Sequence, residues 1–343
     1  MESYERASNL FLLYILKGRA TILVQLWQTG VNERFKIPIT AKRKKEFRSY
    51  FPLLVMTVPF FILVLVFAYV PLWGWAMAFT NYLPGVSIFE TGFVGFKFFG
   101  RLFNSSSEFL MVLRNTLVLS ILTLISSPLV VLLAIMLNEV KNGPFRRIVQ
   151  TLTSFPNFVS WVIVYSLFFS MLSVEDGILN KMLLSTHLIV RPIDFLGNPD
   201  ITWALQTFIS FWKNAGWGAI IYLAAIAGID SELYEAAKVD GAGRFSQILH
   251  ITIPCILPTY FVLLVLGIGN LLSASGFEQY FMFHNALIHQ YIEVLDTYTY
   301  RVGMQVNDFS LSTAAGMFKT SVSVILLFGA NKLHKIVMGY PII

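Results

Sequence analysis

LYEAAKVDGAGRFSQILHITIP, Leu233 to Pro254, is the least membrane-like long interval in the second half of this chain, and it is flanked by hydrophobic runs. Ser231 sits at a cap position, with Glu232 and Glu235 in the first turns, where acidic groups complement the helix dipole. Ala236 and Ala237 give the helix a face small enough for close contact. Gly241 and Gly243 let the chain turn sharply before a second helical stretch runs through Phe245 and Ile248 toward Pro254. A knob of this kind, projecting from between two spans, is shaped to fit a groove on another protein. The plainer reading is a re-entry turn between helices.

The rest of the chain places that knob against a membrane. Of 343 residues 56% are hydrophobic and 13% charged, and the mean hydropathy is +0.68, too little polar surface to clothe a soluble globule of this size. Six apolar stretches are long enough to cross a bilayer, which takes about 20 helical residues. They fall near Tyr50–Phe79, Phe109–Leu137, Phe155–Leu172, Thr202–Ala227, Ile251–Ser273 and Ser310–Ala330, predicting an all-α, polytopic bundle of six transmembrane helices. Seventeen basic residues lie before the first span or in the loops on its side, against five in the opposite loops. The positive-inside rule puts both termini, and the opening stretch with them, in the cytoplasm. The net charge of +6 therefore reports membrane orientation rather than a nucleic-acid partner. Residues 1–49 read as a cytoplasmic or interfacial extension, with an amphipathic helix over Leu10–Trp27 and a lipid-surface anchor in KRKKEFR, Lys42 to Arg48. Residues 50–343 read as one membrane domain, with the cytoplasmic knob at about 229–250.

The chemistry-bearing residues exclude more than they assert. Cys255 is the sole cysteine, and the five histidines show no ligand spacing, so no metal site is expected. No phosphate-cradling G-x-x-x-x-G-K-[ST] run occurs. Every Asp and Glu falls in a loop or at a span edge, which counts against an ion-coupled secondary transporter, the main alternative function, and no catalytic group can be assembled for an intramembrane enzyme. Polar residues inside spans do form stripes. Gln206, Ser210, Lys213 and Trp217 share one face of the fourth span, and Ser312, Gly316, Lys319 and Ser323 one face of the sixth, pointing to a shared water-accessible cavity. A sugar route needs hydrogen-bonding groups beside aromatic platforms, and Trp212, Lys213, Asn214 and Trp217 supply both kinds; helix packing is the other reading of each. Arg114 either snorkels to the headgroups or joins Lys213 and Lys319 in lining the cavity, in which case the three charges would favour an acidic oligosaccharide. Ser126-Ser127-Pro128 is expected to break the second span, Pro156 to open the third, and Pro258 with Gly267 and Gly269 to loosen the fifth. In the external stretches, GFVGFKFFG belongs to a cap packing on the bundle, and DTYTYR, Asp296 to Arg301, either contacts a delivering protein or caps the last helix.

Glu235, Ala236, Ala237, Gly241, Ile251, Ile253 and Pro254 stand at the spacing of the EAA loop, and the chain resembles the membrane permeases of ABC importers that carry it. Ile253 replaces the usual Leu and keeps its apolar character. The runs SFPNFVSWVIVYSLFF, WKNAGWGAIIYLAAIAGI and DTYTYRVG extend the resemblance to the carbohydrate-uptake branch, over roughly Arg48 to the end of the chain. The resemblance implies a type I importer architecture, in which this loop docks in a cleft of the ATPase and transmits its closure. By position, Glu235, Ala236, Ala237, Asp240, Gly241 and Arg244 would form that coupling element. It further implies a second, related permease, two ATPase subunits that hold the ATP and Mg, an extracytoplasmic solute-binding protein, and an oligosaccharide crossing a bacterial cytoplasmic membrane, with no catalytic residue or cofactor on this chain.

Overall fold

In the computed structural model of the chain, residues 41–104, 107–140, 143–273 and 276–339 are described. The helix expected over Leu10–Trp27 lies outside them. The chain divides into two compact units between Leu72 and Trp73. In the first, α1 (Ala41–Val64) begins in the basic run and continues through a wider turn at Leu65–Tyr69. Past Arg48 it is apolar on every side, as a helix facing lipid must be, and Pro52 and Pro59 lie inside it without ending it.

The second unit runs through α2 (Lys97–Asn104), α3 (Ser107–Glu139), α4 (Gly143–Ser154), α5 (Trp161–Leu172), α6 (Ile178–Ser185), α7 (Pro199–Ala227), α8 (Ser231–Val239), α9 (Ile253–Gly269), α10 (Phe277–Phe283), α11 (Leu295–Tyr300) and α12 (Phe309–Met338). Among the described residues there is no strand, only an isolated bridge between Thr80 and Phe93. Among the described residues four helical runs are long and apolar enough to cross a bilayer: Tyr50–Phe79, Glu108–Glu139, Arg244–Gly269 and Phe309–Ile336. Two bent pairs raise the number to six, α4 with α5 at 105° and α7 with α8 at 69°. The third span is therefore not the straight helix expected at Phe155–Leu172. Its α5 has 12 residues, about 18 Å of helix, far short of a bilayer's roughly 30 Å core.

Small residues set the helix spacing. A Cβ on Gly267 of α9 would stand 2.8 Å from Leu124 of α3, and one on Gly269 would stand 2.7 Å from Leu327 of α12. These glycines are points of close helix contact rather than the loosening sites expected. The expected break at Ser126-Ser127-Pro128 is also absent, since α3 runs unbroken through it. There Ser126 donates to the Thr123 carbonyl, and Ser127 lies 3.2 Å from the Tyr260 hydroxyl on α9, polar contacts of the kind that let membrane helices tolerate proline.

Three apolar clusters fill the unit. One end is packed by Phe98 and Leu102 of α2 against Phe109, Tyr298 and Leu311, so the Phe-rich segment does cap the bundle. The middle is packed by Phe168, Ile209 and Phe283, and the other end by Ala134, Ala219, Tyr222 and Ile256 of α3, α7 and α9.

Candidate functional site

The break between α4 and α5 organises the site. Phe155–Phe158 forms a tight turn, in which the Pro156 carbonyl accepts from the Val159 amide (3.2 Å), and Val159 is extended, so the regular intrahelical ladder stops at this broken helix end. Lys213, buried on α7, meets them: its ammonium donates to the carbonyls of Pro156 (2.9 Å), Asn157 (2.9 Å) and Val159 (2.6 Å). Three N–H groups meet three carbonyls, and the Trp161 ring lies 5.2 Å away. One residue triplet further on, Gly216 lets α7 touch the end of α4 backbone to backbone.

Beside this junction opens a cavity of about 430 Å³, where Arg147, Gln150, Thr151 and Ser154 of α4 face Phe158 and Trp217. Phe158 and Trp217 meet edge to face at 5.5 Å. Of the pathway residues expected from the sequence, Trp217 lines this cavity, and Asn214, one turn back on α7, is exposed and accepts from Asn157 at 3.1 Å. Gln206 and Ser210 are buried; the Gln206 carbonyl and side chain both accept from Gln279 of α10. Trp212 packs on Phe168. The α12 stripe turns to α11, with Ser312 donating to the Thr299 carbonyl and Lys319 paired with Asp296.

The three intramembrane cations are thus all engaged by protein. Arg114 donates to the Gln290 carbonyl (3.0 Å) and lies over the Trp203 and Tyr291 rings. Beside it Asn115 donates to the carbonyls of Gln290 and Glu293, and Thr116 accepts from Leu295, stitching α3 to the segment before α11. The DTYTYR run is α11 with its neighbour Arg301, and the cap of α12 is instead Asp308, which accepts from Leu311. The buried Glu293 accepts from Arg301, which also reaches Glu108. Burial opposes the Arg301 charge, but these carboxylates outweigh it and hold its pKa above the ordinary value. Glu108, His289 and Glu293 bring ligand-type atoms within 4.8 Å of one another, with the Arg301 guanidinium on both carboxylates already supplying the positive charge. Next to them, burial and then the neighbouring His289 push the His284 pKa down.

At the other end, the knob forms as two short helices. Its cap is Asp230 rather than Ser231, because Asp230 accepts from the Glu232 amide (3.0 Å). Gly241 turns the chain at φ +77°, a conformation that disfavours any side chain. Arg244 pairs with Glu139 at the end of α3 (3.6 Å), and Tyr234 bonds Thr252 (2.9 Å). A cleft of about 640 Å³ lies between, lined by Glu235, Lys238 and Arg244 among others. No residue of α8 is buried, and Val239 and Phe245 are 89% and 79% exposed; the sequence pattern gives Phe245 only as part of the second helical stretch and does not single out Val239. Their signal was present in the sequence as large apolar residues inside the most polar long interval.

An apolar helical bundle that breaks around an aromatic cavity and presents an uncovered two-helix knob has the form of a transport permease. Residues 126–335 match the family described as "Binding-protein-dependent transport system inner membrane component". The chain is 45% identical over 284 residues to the polygalacturonan/rhamnogalacturonan transport system permease protein YteP of Bacillus subtilis (strain 168), covering 82% of this chain and 87% of that one. It is 41% identical over 284 residues to protein LplB of the same organism, covering 82% and 88%. A solved bacterial alginate ABC transporter, in complex with alginate pentasaccharide-bound periplasmic protein, matches with a TM-score of 0.78 at 36% identity, covering 87% of this chain and 99% of its counterpart. The chain belongs to this family of binding-protein-dependent membrane permeases, those of ABC importers. Its relatives are transport permeases and not enzymes, and the secondary-transporter alternative falls with that assignment.

Proposed function

We propose that this chain forms half of the membrane pathway of an ATP-driven oligosaccharide importer in a bacterial cytoplasmic membrane, with both termini in the cytoplasm. A second, related permease completes the pathway, two ATPase subunits dock below with their ATP and Mg, and an extracytoplasmic binding protein delivers the sugar. The permease domain is residues 50–343, preceded by the extension 1–49. The coupling element comprises Glu235, Ala236, Ala237, Asp240, Gly241 and Arg244. Val239 and Phe245 join it, because a cytoplasmic knob with two bare apolar side chains is complete only when a partner covers them.

The observation that carries the sugar reading is the pairing of Trp217 and Phe158 in an open cavity beside Asn214, Gln150 and Thr151, aromatic faces next to hydrogen-bonding groups. Asn214 and Trp217 meet the sugar; Gln206, Ser210, Trp212 and Lys213 hold the wall behind them, and Lys319 holds α11 on α12. The relatives that carry polygalacturonan/rhamnogalacturonan and alginate in their names favour a uronic-acid-containing cargo. Uptake by the assembly in liposomes, over neutral and uronic-acid oligosaccharides, tests this. Trp217→Ala is expected to raise KM for the transported sugar about tenfold, for the loss of roughly 1–2 kcal/mol of aromatic contact. An unchanged KM would remove Trp217 from the route.

A further inference from the structure

We propose that Arg147 reads the carboxylate of an acidic sugar unit, which makes it a specificity-determining residue of the cavity. This rests on the reading of that cavity as a sugar route. The sequence offered Arg114, Lys213 and Lys319 as the charges for an acidic cargo. Each has its positive charge spent inside the chain, on carbonyls, aromatic rings or Asp296. Arg147 is one of the seventeen basic residues on the side of the first span's N-terminal end that orient the bundle. In the structure it lies on α4 and lines the same cavity as Trp217, and among the described residues no carboxylate pairs with it.

Its placement is specific. Arg147, Gln150, Thr151 and Ser154 recur at i, i+3, i+4 and i+7, one face of α4, and all four line the cavity. Ser154 is 8% exposed, and its hydroxyl has no hydrogen-bond partner, a buried polar group that the chain leaves unsatisfied at the cavity wall. From Arg147 to Ser154 is about 10 Å along the helix axis, wider than one pyranose ring. The aromatic pair and the guanidinium therefore address different units of one sugar chain: Phe158 and Trp217 take a ring face, and Arg147 takes a carboxylate through two parallel N–H donors.

The test uses the complete assembly in liposomes with its binding protein. Uptake of a uronate oligosaccharide is compared with that of the same oligosaccharide after reduction of its carboxyls to alcohols, for the natural chain, Arg147→Gln and Arg147→Lys. Arg147→Gln is expected to raise KM for the uronate at least tenfold relative to the reduced sugar, with Arg147→Lys recovering part of the difference. Equal losses on both sugars, or a loss that follows the anionic-lipid content of the liposomes, would make Arg147 a structural or headgroup contact and overturn the proposal. So would an unchanged ratio in an assembly that imports the uronate well. A natural assembly that imports the reduced sugar alone would overturn the acidic cargo together with the role of Arg147, yet keep the sugar route. No sugar uptake at all would withdraw the route itself.

Discussion

Gly216→Ala is expected to destabilise the permease strongly, although the same change inside most helices is favourable by up to about 1 kcal/mol. A Cβ at position 216 would stand 2.1 Å from the Thr153 carbonyl oxygen, 2.2 Å from its carbon and 2.6 Å from the Ser154 nitrogen. All three are backbone atoms, so no rotamer change relieves the overlap and α4 must shift as a unit. Overpacking of this kind costs about 3 kcal/mol, a large part of a typical domain's stability. Gly316→Ala on α12 is the control, since nothing lies within 4 Å of a Cβ there. Thermal unfolding of the detergent-purified proteins should show a steep loss for Gly216→Ala and none for Gly316→Ala. Equal stability of the two would mean that α4 and α7 do not meet backbone to backbone.

Lys213→Met should give the second large effect. The substitution keeps the length of the side chain but removes the ammonium that satisfies the carbonyls of Pro156, Asn157 and Val159. The Pro156 carbonyl keeps the Val159 amide (3.2 Å), but those of Asn157 and Val159 lose the ammonium, and each carbonyl left unpaired in a buried setting costs about 1–3 kcal/mol. Loss of thermal stability and of uptake should therefore appear together, and for neutral and acidic sugars alike, because the break between α4 and α5 loses its brace. A Lys213→Met protein of normal stability that fails only on acidic sugars would put this ammonium in the route instead.

The contrast between Lys213 and Arg147 shows what periodicity conveys and where it stops. The stripe Gln206, Ser210, Lys213 and Trp217 was legible because residues spaced by three or four share a helix face. What covers that face was not, because the covering groups, Gln279 and the carbonyls at 156–159, lie 54 to 73 residues away, in segments whose approach no local pattern encodes. Lys319 likewise takes its partner from α11, on the far side of a wide turn at Arg301–Gln305. The same limit applies to prolines. Pro156 coincides with a true bend, whereas Pro128 lies in an unbroken helix, and only neighbouring groups such as Tyr260 distinguish the two settings. The long apolar spans were readable because a bilayer imposes length and hydropathy on them directly. The EAA-type spacing was readable because its helix, turn and helix form within one short segment, and the cap differed by one residue only because Asp230 and Ser231 are both cap-forming types.

The most direct test of the whole account is ATP hydrolysis by the purified assembly in liposomes, with and without sugar-loaded binding protein, for the natural chain, Glu235→Ala and the double change Val239→Asp and Phe245→Asp. The natural assembly should hydrolyse ATP several-fold faster when loaded binding protein is added. Glu235→Ala should lose that stimulation, and the double change, which places two charges on the apolar face of the knob, should release the ATPase subunits altogether. Undiminished stimulation in both variants would contradict the account, because Leu233 to Pro254 would then be a turn between two spans and not the joint through which ATP drives the permease.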